Sequence, residues 1–419
     1  MNQGRRAIWS WALYDWANSA FATTVMAGFF PLFFKEYWSQ GVAPSESTYV
    51  LGLSNSISSL AVALAAPILG ALADQGLGKK RFLALFTLVG ALATGALYWV
   101  RGGDMAGAAF LYAAASFGFA AALVFYDALL IDVSPNERMD MVSSFGYGLG
   151  YLGGGLLFTV NVVMYLKPQI FGLANGVEGI KWSFLSVALW WLLFALPLFL
   201  WVKESHLPKA RPPLKRIARD GWRSFVHTLR RILIYKPLLT FLLAYLLYID
   251  GVNTIIKMAV DYGMAIGFSP QHLIGALLLV QFIGFPAAIG FGFVAQRLGA
   301  RRGIFICLWV YGLITVLAFL MKESWHFYAL AAAIGLVQGG VQALSRSIFA
   351  RMIPPKEAGE FFGFFNLLGK FSAIIGPLLV GGVSLWTGEP RWSILVLLVL
   401  FISGGWLLSR VDSNYRVPA

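Results

Sequence analysis

Twelve long apolar runs along the chain constrain its fold more than any other feature. The hydrocarbon core of a bilayer is about 30 Å thick, and a helix of about 20 apolar residues crosses it. Only 12% of the 419 residues are charged, about half the proportion of an ordinary soluble protein. The sequence therefore predicts an all-α polytopic membrane protein and excludes a soluble enzyme, a disordered chain and a secreted disulfide scaffold.

We call the predicted transmembrane helices span 1 to span 12. The first run is too long for a signal peptide and is followed by eleven more, so we expect it to be retained. In order, the predicted spans cover residues 8–34, 49–73, 82–100, 106–131, 140–166, 181–202, 237–261, 270–295, 303–321, 325–350, 360–386 and 391–409.

The distribution of basic residues predicts how these spans are oriented. With the N-terminus in the cytoplasm, 23 of the 32 Lys and Arg residues fall on the cytoplasmic side, six fall outside and three lie within spans. The positive-inside rule then places both termini in the cytoplasm, and we expect an integral protein of the plasma (inner) membrane. Because these residues border the membrane, the net charge of +13 does not indicate a nucleic-acid partner.

Residues 203–236 form the one long interruption between predicted spans and divide them six and six. We therefore expect an N-terminal bundle at 1–202, a cytoplasmic basic linker at 203–236 and a C-terminal bundle at 237–419. Apolar residues recur at helical spacing among the arginines of the linker, which predicts an amphipathic helix on the anionic inner leaflet. A plain linker is the alternative.

Several features recur in the same order in the two halves. A D-x-x-N pattern occurs in span 1, at Asp15 and Asn18, and again in span 7, at Asp250 and Asn253. Similar loops follow spans 2 and 8, and similar proline-containing loops follow spans 4 and 10. Such repetition predicts two pseudo-symmetric six-helix bundles, an arrangement in which the bundles rock about a central site.

The loops after spans 2 and 8 resemble the loop signature of the major facilitator superfamily, G-x-x-x-D-[RK]-x-G-R-[RK]. The first loop keeps the acid, Asp74, but has one extra residue before Gly78, and the second has Gln296 in place of the acid. The acid or amide would cap a neighbouring helix and the basic cluster would hold one conformation, so we predict gating loops. A topology anchor without a gating role is the alternative. The predicted gating residues are Asp74, Lys79, Lys80, Arg81, Gln296, Arg297, Arg301 and Arg302.

Three further stretches resemble the vacuole effluxer (autophagy-related) family, bacterial type, within that superfamily. They are YDWANSAF at 14–21, QALSRS at 342–347 and GKFSAIIGP at 369–377, so the resemblance covers both halves of the chain. It implies the major facilitator fold and a transport function. Fungal members of the family are implicated in the release of amino acids from the vacuole, which makes amino acids the leading substrates by resemblance.

Five ionisable residues lie well inside predicted spans, where a charge is costly unless it has a partner or a wet cavity. In the fold that the chain resembles, spans 1, 4, 7 and 10 line the central cavity, and these spans carry four of the five. We predict that the aspartates Asp15, Asp127 and Asp250 are candidates to take up and release a proton. Arg346 and Lys370 are candidates to bind a substrate carboxylate. The alternative is a set of buried ion pairs, such as Asp127 with Arg346, that only fasten the halves together.

Neighbouring polar and aromatic side chains complete the predicted site. Asn18 and Asn253 lie one turn beyond the aspartates of spans 1 and 7, on the same helix faces. They would bind substrate or orient the carboxylates, and the second role is favoured. Tyr14 and Tyr126 flank the charges and would line the cavity or only pack.

Other residues near span ends receive a structural interpretation. Asp132 lies close enough to an end of span 4 to reach the surface. Span 5 is rich in glycine and resembles the fifth-helix signature of superfamily antiporters, with Tyr151 in place of its proline, so we expect spans 5 and 8 to approach closely. The tryptophans expected in an interfacial belt are Trp9, Trp11, Trp99, Trp182, Trp325 and Trp392.

The sequence predicts neither a cofactor nor a metal site. The single cysteine, Cys307, lies in an apolar run, and the four histidines lack metal-ligand spacing. Nothing resembles an ATP-binding loop, and no nucleophile–base pattern indicates an enzyme. We therefore predict a monomeric secondary transporter that works by alternating access, is coupled to protons and carries small amphiphilic solutes, with export favoured over uptake. A lipid flippase on the same fold and a non-transporting receptor or scaffold are the rival functions.

Overall fold

A computed structural model of the chain describes residues 3–205, 214–265, 270–321, 323–387, 390–412 and 415–417. These residues are almost entirely helical, and no strand occurs among them. Eleven of the described segments are long and apolar enough to cross a membrane. A further helix, Ala358–Thr387, occupies the position of predicted span 11. The predicted all-α polytopic fold is confirmed.

The helices follow the predicted spans in order, and we keep the span numbers for them. Span 1 is the segment Gln3–Trp38. Spans 2 to 6 are built on the helices Pro44–Leu72, Lys79–Ala96, Met105–Ala128, Met139–Leu166 and Gly176–Trp201. The linker helix is Leu214–Ile234. Spans 7 to 12 are Lys236–Ala265, Pro270–Leu298, Ala300–Phe319, Ser324–Met352, Ala358–Thr387, and Pro390–Leu395 with Leu397–Ser409.

The two halves of the molecule pack in the same pattern. In the first half, span 1 packs against spans 5 and 6, span 4 against spans 2 and 3, and span 3 against span 6. In the second half, span 7 packs against spans 11 and 12, span 10 against spans 8 and 9, and span 9 against span 12. Each pair has its counterpart six spans further along the chain. The fold therefore consists of two pseudo-symmetric six-helix bundles.

The two bundles meet through two symmetric pairs of helices, spans 5 and 8 and spans 2 and 11. Spans 5 and 10 and spans 4 and 11 add a second symmetric set. Small residues permit the approach of spans 2 and 11. A Cβ added at Gly70 would lie 2.2 Å from the carbonyl oxygen of Gly359, and one added at Gly363 would lie 2.6 Å from the Cα of Pro67. The backbones are therefore in direct contact at these positions.

The glycines of span 5 serve two different neighbours. Gly148 and Gly155 lie against Ile289 and Gln281 of span 8, which is the close approach that the sequence predicts. The remaining glycines of this segment instead face span 1; they are Gly146, Gly150, Gly153 and Gly154. Span 5 is thus packed tightly both inside its own bundle and across the interface.

Two loops share their backbone geometry at one end of the molecule, which we call the linker end because the linker helix lies there. Gly78 and Gly299, just before spans 3 and 9, both have a φ of +88°, a conformation that glycine adopts without strain. Lys80 donates to two carbonyl groups at the end of span 6, and Arg301 donates to a carbonyl group that follows span 12. These cations satisfy carbonyl groups that helix ends leave open.

Span 1 changes its winding beyond its middle. The segments Phe21–Phe29 and Phe34–Trp38 are π-helical and flank the short α-helix Phe30–Phe33. Such turns are rare and concentrate at functional sites. Here they follow directly on the stretch that carries Asp15 and Asn18.

The contact between Gly70 and Gly359 yields a prediction about stability. Gly70→Ala would press a Cβ against the backbone of span 11, and overpacking of this kind costs about 1–3 kcal/mol. Gly52→Ala on the same helix is the matched control, because a Cβ added there meets no atom within 4 Å. We expect a lower melting temperature for Gly70→Ala than for Gly52→Ala in purified protein. Equal melting temperatures would contradict the close packing.

Candidate functional site

Three charged side chains meet at the interface between the bundles, and we call them the ionic cluster: Asp15, Asp127 and Arg346. The Arg346 guanidinium on span 10 lies 2.9 Å from a carboxylate oxygen of Asp127 on span 4. It lies 3.8 Å from an oxygen of Asp15 on span 1. All three residues are buried, and Arg346 is only 2% exposed. The cluster therefore ties two helices of the first bundle to one helix of the second.

Asp127 and Arg346 lie at similar depths of spans 4 and 10. Each lies six residues before the linker end of its span, which finishes at Val133 in span 4 and at Met352 in span 10. At a rise of 1.5 Å per residue this is about 9 Å of depth. The opposite charges therefore meet at one level of the interface between the two bundles.

Polar groups from two more spans complete the hydrogen bonding of the cluster. Arg346 donates from Nε to the Ser143 hydroxyl and from Nη2 to the Ser143 carbonyl oxygen, both at 2.9 Å. The Asn366 amide donates to the second oxygen of Asp127 at 3.2 Å, and the Tyr126 hydroxyl donates to Asp15 at 3.0 Å. Spans 5 and 11 thereby join spans 1, 4 and 10 around one site.

Three aromatic rings surround the guanidinium of Arg346. The ring centroids of Tyr147, Trp11 and Tyr126 lie 4.3, 4.9 and 5.5 Å from its central carbon. The Trp11 and Tyr126 rings are stacked, with centroids 4.5 Å apart. A planar, weakly hydrated guanidinium suits such a site better than the ammonium of a lysine.

The ionic cluster carries two carboxylates for one guanidinium. If both carboxylates are ionised, a negative charge is left unbalanced in a buried site, which is costly. A proton on one carboxylate, or a cationic group of a bound solute, removes that charge. The cluster can therefore act as a proton site or as a site for an ammonium group.

Asp250 repeats one local feature of Asp15, the close approach of a glycine from a neighbouring span. It is fully buried on span 7, and a Cβ added at Gly376 of span 11 would lie 3.0 Å from its Oδ1 and 2.0 Å from the Thr254 hydroxyl. In the first bundle, a Cβ added at Gly150 of span 5 would lie 2.7 Å from the hydroxyl of Ser19, one turn beyond Asp15. The repeat therefore extends to D-x-x-N-[ST] facing a glycine.

Asn18 and Tyr14, both predicted beside Asp15, lie in different surroundings. Asn18 is buried, and its Nδ2 has no hydrogen-bond partner among the described residues. Among the described residues, the hydroxyl of Tyr126 donates a hydrogen bond to the Asp15 carboxylate, and the Asn18 amide nitrogen does not. The Tyr14 hydroxyl shares a 2.6 Å hydrogen bond with Thr87 of span 3, so Tyr14 belongs to the packing of the first bundle.

Asn253 and Lys370 are half-buried on spans 7 and 11. Lys370 lies four residues after Asn366, whose amide contacts Asp127. Residues four apart share a helix face, so Lys370 is on the face of span 11 that meets the ionic cluster.

The linker end is closed by contacts on both symmetric sides of the interface. Asp74, after span 2, accepts hydrogen bonds of 3.2 and 2.9 Å from two backbone N–H groups in the first turn of span 11. A carboxylate at this position is stabilised by the helix dipole. On the other side, Asp140 of span 5 accepts hydrogen bonds from Ser347 at 2.5 Å and Arg351 at 2.8 Å, both on span 10. Opening this end requires these contacts to break.

The other predicted gating residues act inside their own bundles or lie exposed. Lys79 forms a 2.7 Å ion pair with Asp132 and fixes the start of span 3 to the end of span 4. Lys80 and Arg301 cap helix ends, as described above. Among the described contacts, Asp74 is the one predicted gating residue that bridges the bundles. The exposed ones are Arg81, Gln296, Arg297 and Arg302.

The linker helix docks on the start of span 11 through two polar pairs. We call their four residues the linker latch: Ser224, Arg231, Glu357 and Glu360. Ser224 donates to Glu360 at 2.7 Å, and Arg231 donates to Glu357 at 2.5 Å. Phe225 stacks beside them on a phenylalanine of span 11. The predicted helix is present, and the face that carries these residues packs on protein. The latch thus holds the same helix start that Asp74 caps.

Two sequence-based placements were wrong. Trp11, expected in an interfacial belt, is fully buried against Arg346. Asp132, expected to reach the surface, has a carboxylate that is fully buried beside Lys79. Both lie near span ends that other helices cover. Ser143 and Asn366 were missed because an isolated polar residue in an apolar helix gives no signal of its partner.

The fold and the buried charges between its halves define a class of protein, a membrane transporter of the major facilitator superfamily. The same fold occurs in the human organic anion transporter MFSD10 (TETRAN), with a TM-score of 0.74 and 17% identity, covering 97% of this chain and 100% of that chain. The chain belongs to the family described as "Vacuole effluxer Atg22 like", whose model matches residues 3–50, 45–137 and 132–416.

Named relatives of the chain occur in bacteria and fungi. The uncharacterized MFS-type transporter YxiO of Bacillus subtilis (strain 168) is 37% identical over 407 residues, which is 97% of this chain and 94% of YxiO. Autophagy-related protein 22 of Coccidioides immitis (strain RS) is 24% identical over 539 residues, which is 98% of this chain and 88% of that protein. The chain is therefore similar to these two proteins over nearly its whole length.

The ion pair within the ionic cluster predicts non-additive stabilities. Arg346→Gln alone leaves two buried carboxylates without their cation and should lower the free energy of unfolding by about 3–5 kcal/mol. Asp127→Asn alone leaves Arg346 with Asp15 as its partner and should lower it by less. The double variant should lose clearly less than the sum of the two. Chemical unfolding in detergent, followed by tryptophan fluorescence, measures the three values. Strict additivity would contradict a direct interaction, and Glu137→Gln, an exposed carboxylate in the loop after span 4, is the control.

The linker latch predicts a change in accessibility. Ala66 of span 2 is 1% exposed where span 11 covers it, and the single native cysteine is fully buried. In an Ala66→Cys background, Arg231→Ala should raise the rate of maleimide labelling several-fold, because span 11 loses a restraint. The neighbouring exposed Arg230→Ala is the matched control and should leave the rate unchanged. Equal rates in the two variants would show that the latch does not hold the bundles together.

Proposed function

We propose that the protein is a proton-coupled secondary transporter that exports small amphiphilic solutes, amino acids foremost, by alternating access. The observation that carries this proposal is the ionic cluster, in which two carboxylates share one guanidinium where the bundles meet. A movement of the bundles must alter these contacts. The ionic cluster therefore both changes its contacts when the bundles move and carries an unbalanced charge when both carboxylates are ionised.

Asp15 is the proposed proton carrier. Its carboxylate is the one farther from Arg346, at 3.8 Å against 2.9 Å for Asp127. With Asp15 protonated, the ionic cluster is neutral and is stable when buried. With Asp15 ionised, the cluster carries a net negative charge and favours a conformation in which water reaches it. Asp127 stays ionised as the partner of Arg346, and Asp250 is the second candidate carrier.

The predicted orientation makes the linker end cytoplasmic. On that assignment, the contacts of Asp74, Asp140 and the linker latch seal the cytoplasmic side. We propose that the cycle breaks these contacts as the bundles rock and that it forms the opposite seal at the outer side.

A zwitterionic solute fits the charges around the site. Lys370, on the face of span 11 beside Asn366, is the proposed partner of a substrate carboxylate, and Asn18 offers an amide. The ammonium group would compete with the proton for the excess negative charge at Asp15. Competition for one site produces exchange of proton for substrate. A transport function is supported by the family description, vacuole effluxer.

Transport in liposomes tests the proposal directly. Purified protein is reconstituted, a pH gradient is imposed, and the movement of a panel of labelled amino acids is measured. We expect gradient-driven movement of at least one of them by the wild type. Asp15→Asn should abolish gradient-driven transport and also the exchange of labelled for unlabelled substrate, because it removes the carboxylate for which the proton and the ammonium group compete.

Glu137→Gln is the matched control for these assays, since it removes an exposed carboxylate and should transport as the wild type does. If the wild type moves no solute under any gradient, the coupled-transporter proposal is wrong. If Asp15→Asn retains gradient-driven transport, Asp15 is not the sole carrier.

A further inference from the structure

Spans 9 and 12 leave an open groove between them. Its volume is about 750 Å³, and apolar side chains line it. Gly312 and Gly405 leave it room, because a Cβ added at either would have its nearest side-chain atom 3.8 or 3.6 Å away. The groove opens at the molecular surface, where Trp309 and Ile402 are 71% and 69% exposed. Cavities of roughly 300–1,000 Å³ hold molecules of drug size.

The equivalent helices of the first bundle are packed together at glycines. In spans 3 and 6, a Cβ added at Gly90 would lie 2.5 Å from the ring of Trp191, and one added at Gly95 would lie 3.2 Å from Ala188. The fold therefore does not require a groove at this position. The groove results from the side chains of spans 9 and 12.

Two exposed arginines stand at the linker end of the groove. Arg302 lies in the first turn of span 9, four residues before Ile306 and seven before Trp309, and so on the same helix face. Arg410 follows span 12, and its guanidinium stacks 3.9 Å above the ring of Trp406. Both side chains are exposed at the level where the spans leave the bilayer.

The depth of the groove matches one leaflet. Its lining residues on span 9 run from Phe305 to Leu313. They lie three to eleven residues beyond Arg302, or about 5–17 Å at 1.5 Å per residue. Half of the hydrocarbon core is about 15 Å.

We propose that this groove binds one anionic phospholipid, with an acyl chain between spans 9 and 12 and the phosphate at Arg302 and Arg410. The apolar groove fits the chain, and the paired cations at the interface fit the charge of the headgroup. A zwitterionic lipid would fill the groove but gain less from the arginines. The site lies on the outside of the second bundle and does not depend on which solute the protein carries.

Lipid retention measured by native mass spectrometry tests the site. The full chain is purified with equal amounts of phosphatidylglycerol and phosphatidylcholine that have identical acyl chains. We expect the wild type to retain one phosphatidylglycerol preferentially. Arg302→Gln with Arg410→Gln should lower that retention at least fivefold and lower the retention of phosphatidylcholine by clearly less. Gly312→Leu with Gly405→Leu, which fills the groove, should lower the retention of both lipids.

Arg138→Gln with Lys356→Gln removes the same charge from exposed loops after spans 4 and 10 and is the matched control. Melting temperatures within a few degrees of the wild type show that the variants are folded. Unchanged phosphatidylglycerol retention in the Arg302 and Arg410 double variant would overturn the proposal. So would an equal loss in the control, since that would show charge attraction without a specific site.

Discussion

The structure depends on the burial of one guanidinium between the two bundles. Arg346 lies on span 10, yet its partners come from the first bundle: the Asp127 carboxylate of span 4 and the hydroxyl and carbonyl groups of Ser143 on span 5. A buried cation that loses such partners is strongly destabilising. The bundles must therefore stay together at this depth, or water must replace those partners when they separate. This requirement connects the packing of the fold to a change of conformation.

The pseudo-symmetry of the fold explains how one pair can have this effect. Asp127 and Arg346 sit at equivalent depths of spans 4 and 10, so a symmetric scaffold carries opposite charges at the place where its halves meet. Around them, Asp74 and Asp140 close the two symmetric sides of the linker end. The linker helix packs on span 2 of the first bundle and on spans 7 and 11 of the second, and adds a restraint at the same end. Asp15 adds a second carboxylate, and it makes the closed arrangement sensitive to protons in the account proposed above.

Sequence patterns predicted the helices and the identity of the buried charges, but not most of their partners. Span lengths, loop repeats and an arginine inside a membrane segment are local signals, and each is visible in one stretch of chain. Ser143 and Asn366 are ordinary polar residues whose importance comes from helices far away in sequence. Trp11 was misplaced for the same reason, since its distance from a span end does not reveal that Arg346 covers it. Patterns in a single sequence predict helices, but they do not determine which residues of different helices are in contact.

The central claim is that protonation of Asp15 controls the opening of the linker end. Spin labels at Glu137→Cys and Lys356→Cys, in exposed loops of the two bundles, allow the distance across that end to be measured by electron–electron double resonance as a function of pH. Because protonation neutralises the ionic cluster, lowering the pH should favour the short distance of the sealed state in the wild type. The Asp15→Asn protein should keep the short distance at every pH. The same pH dependence in both proteins would contradict the account.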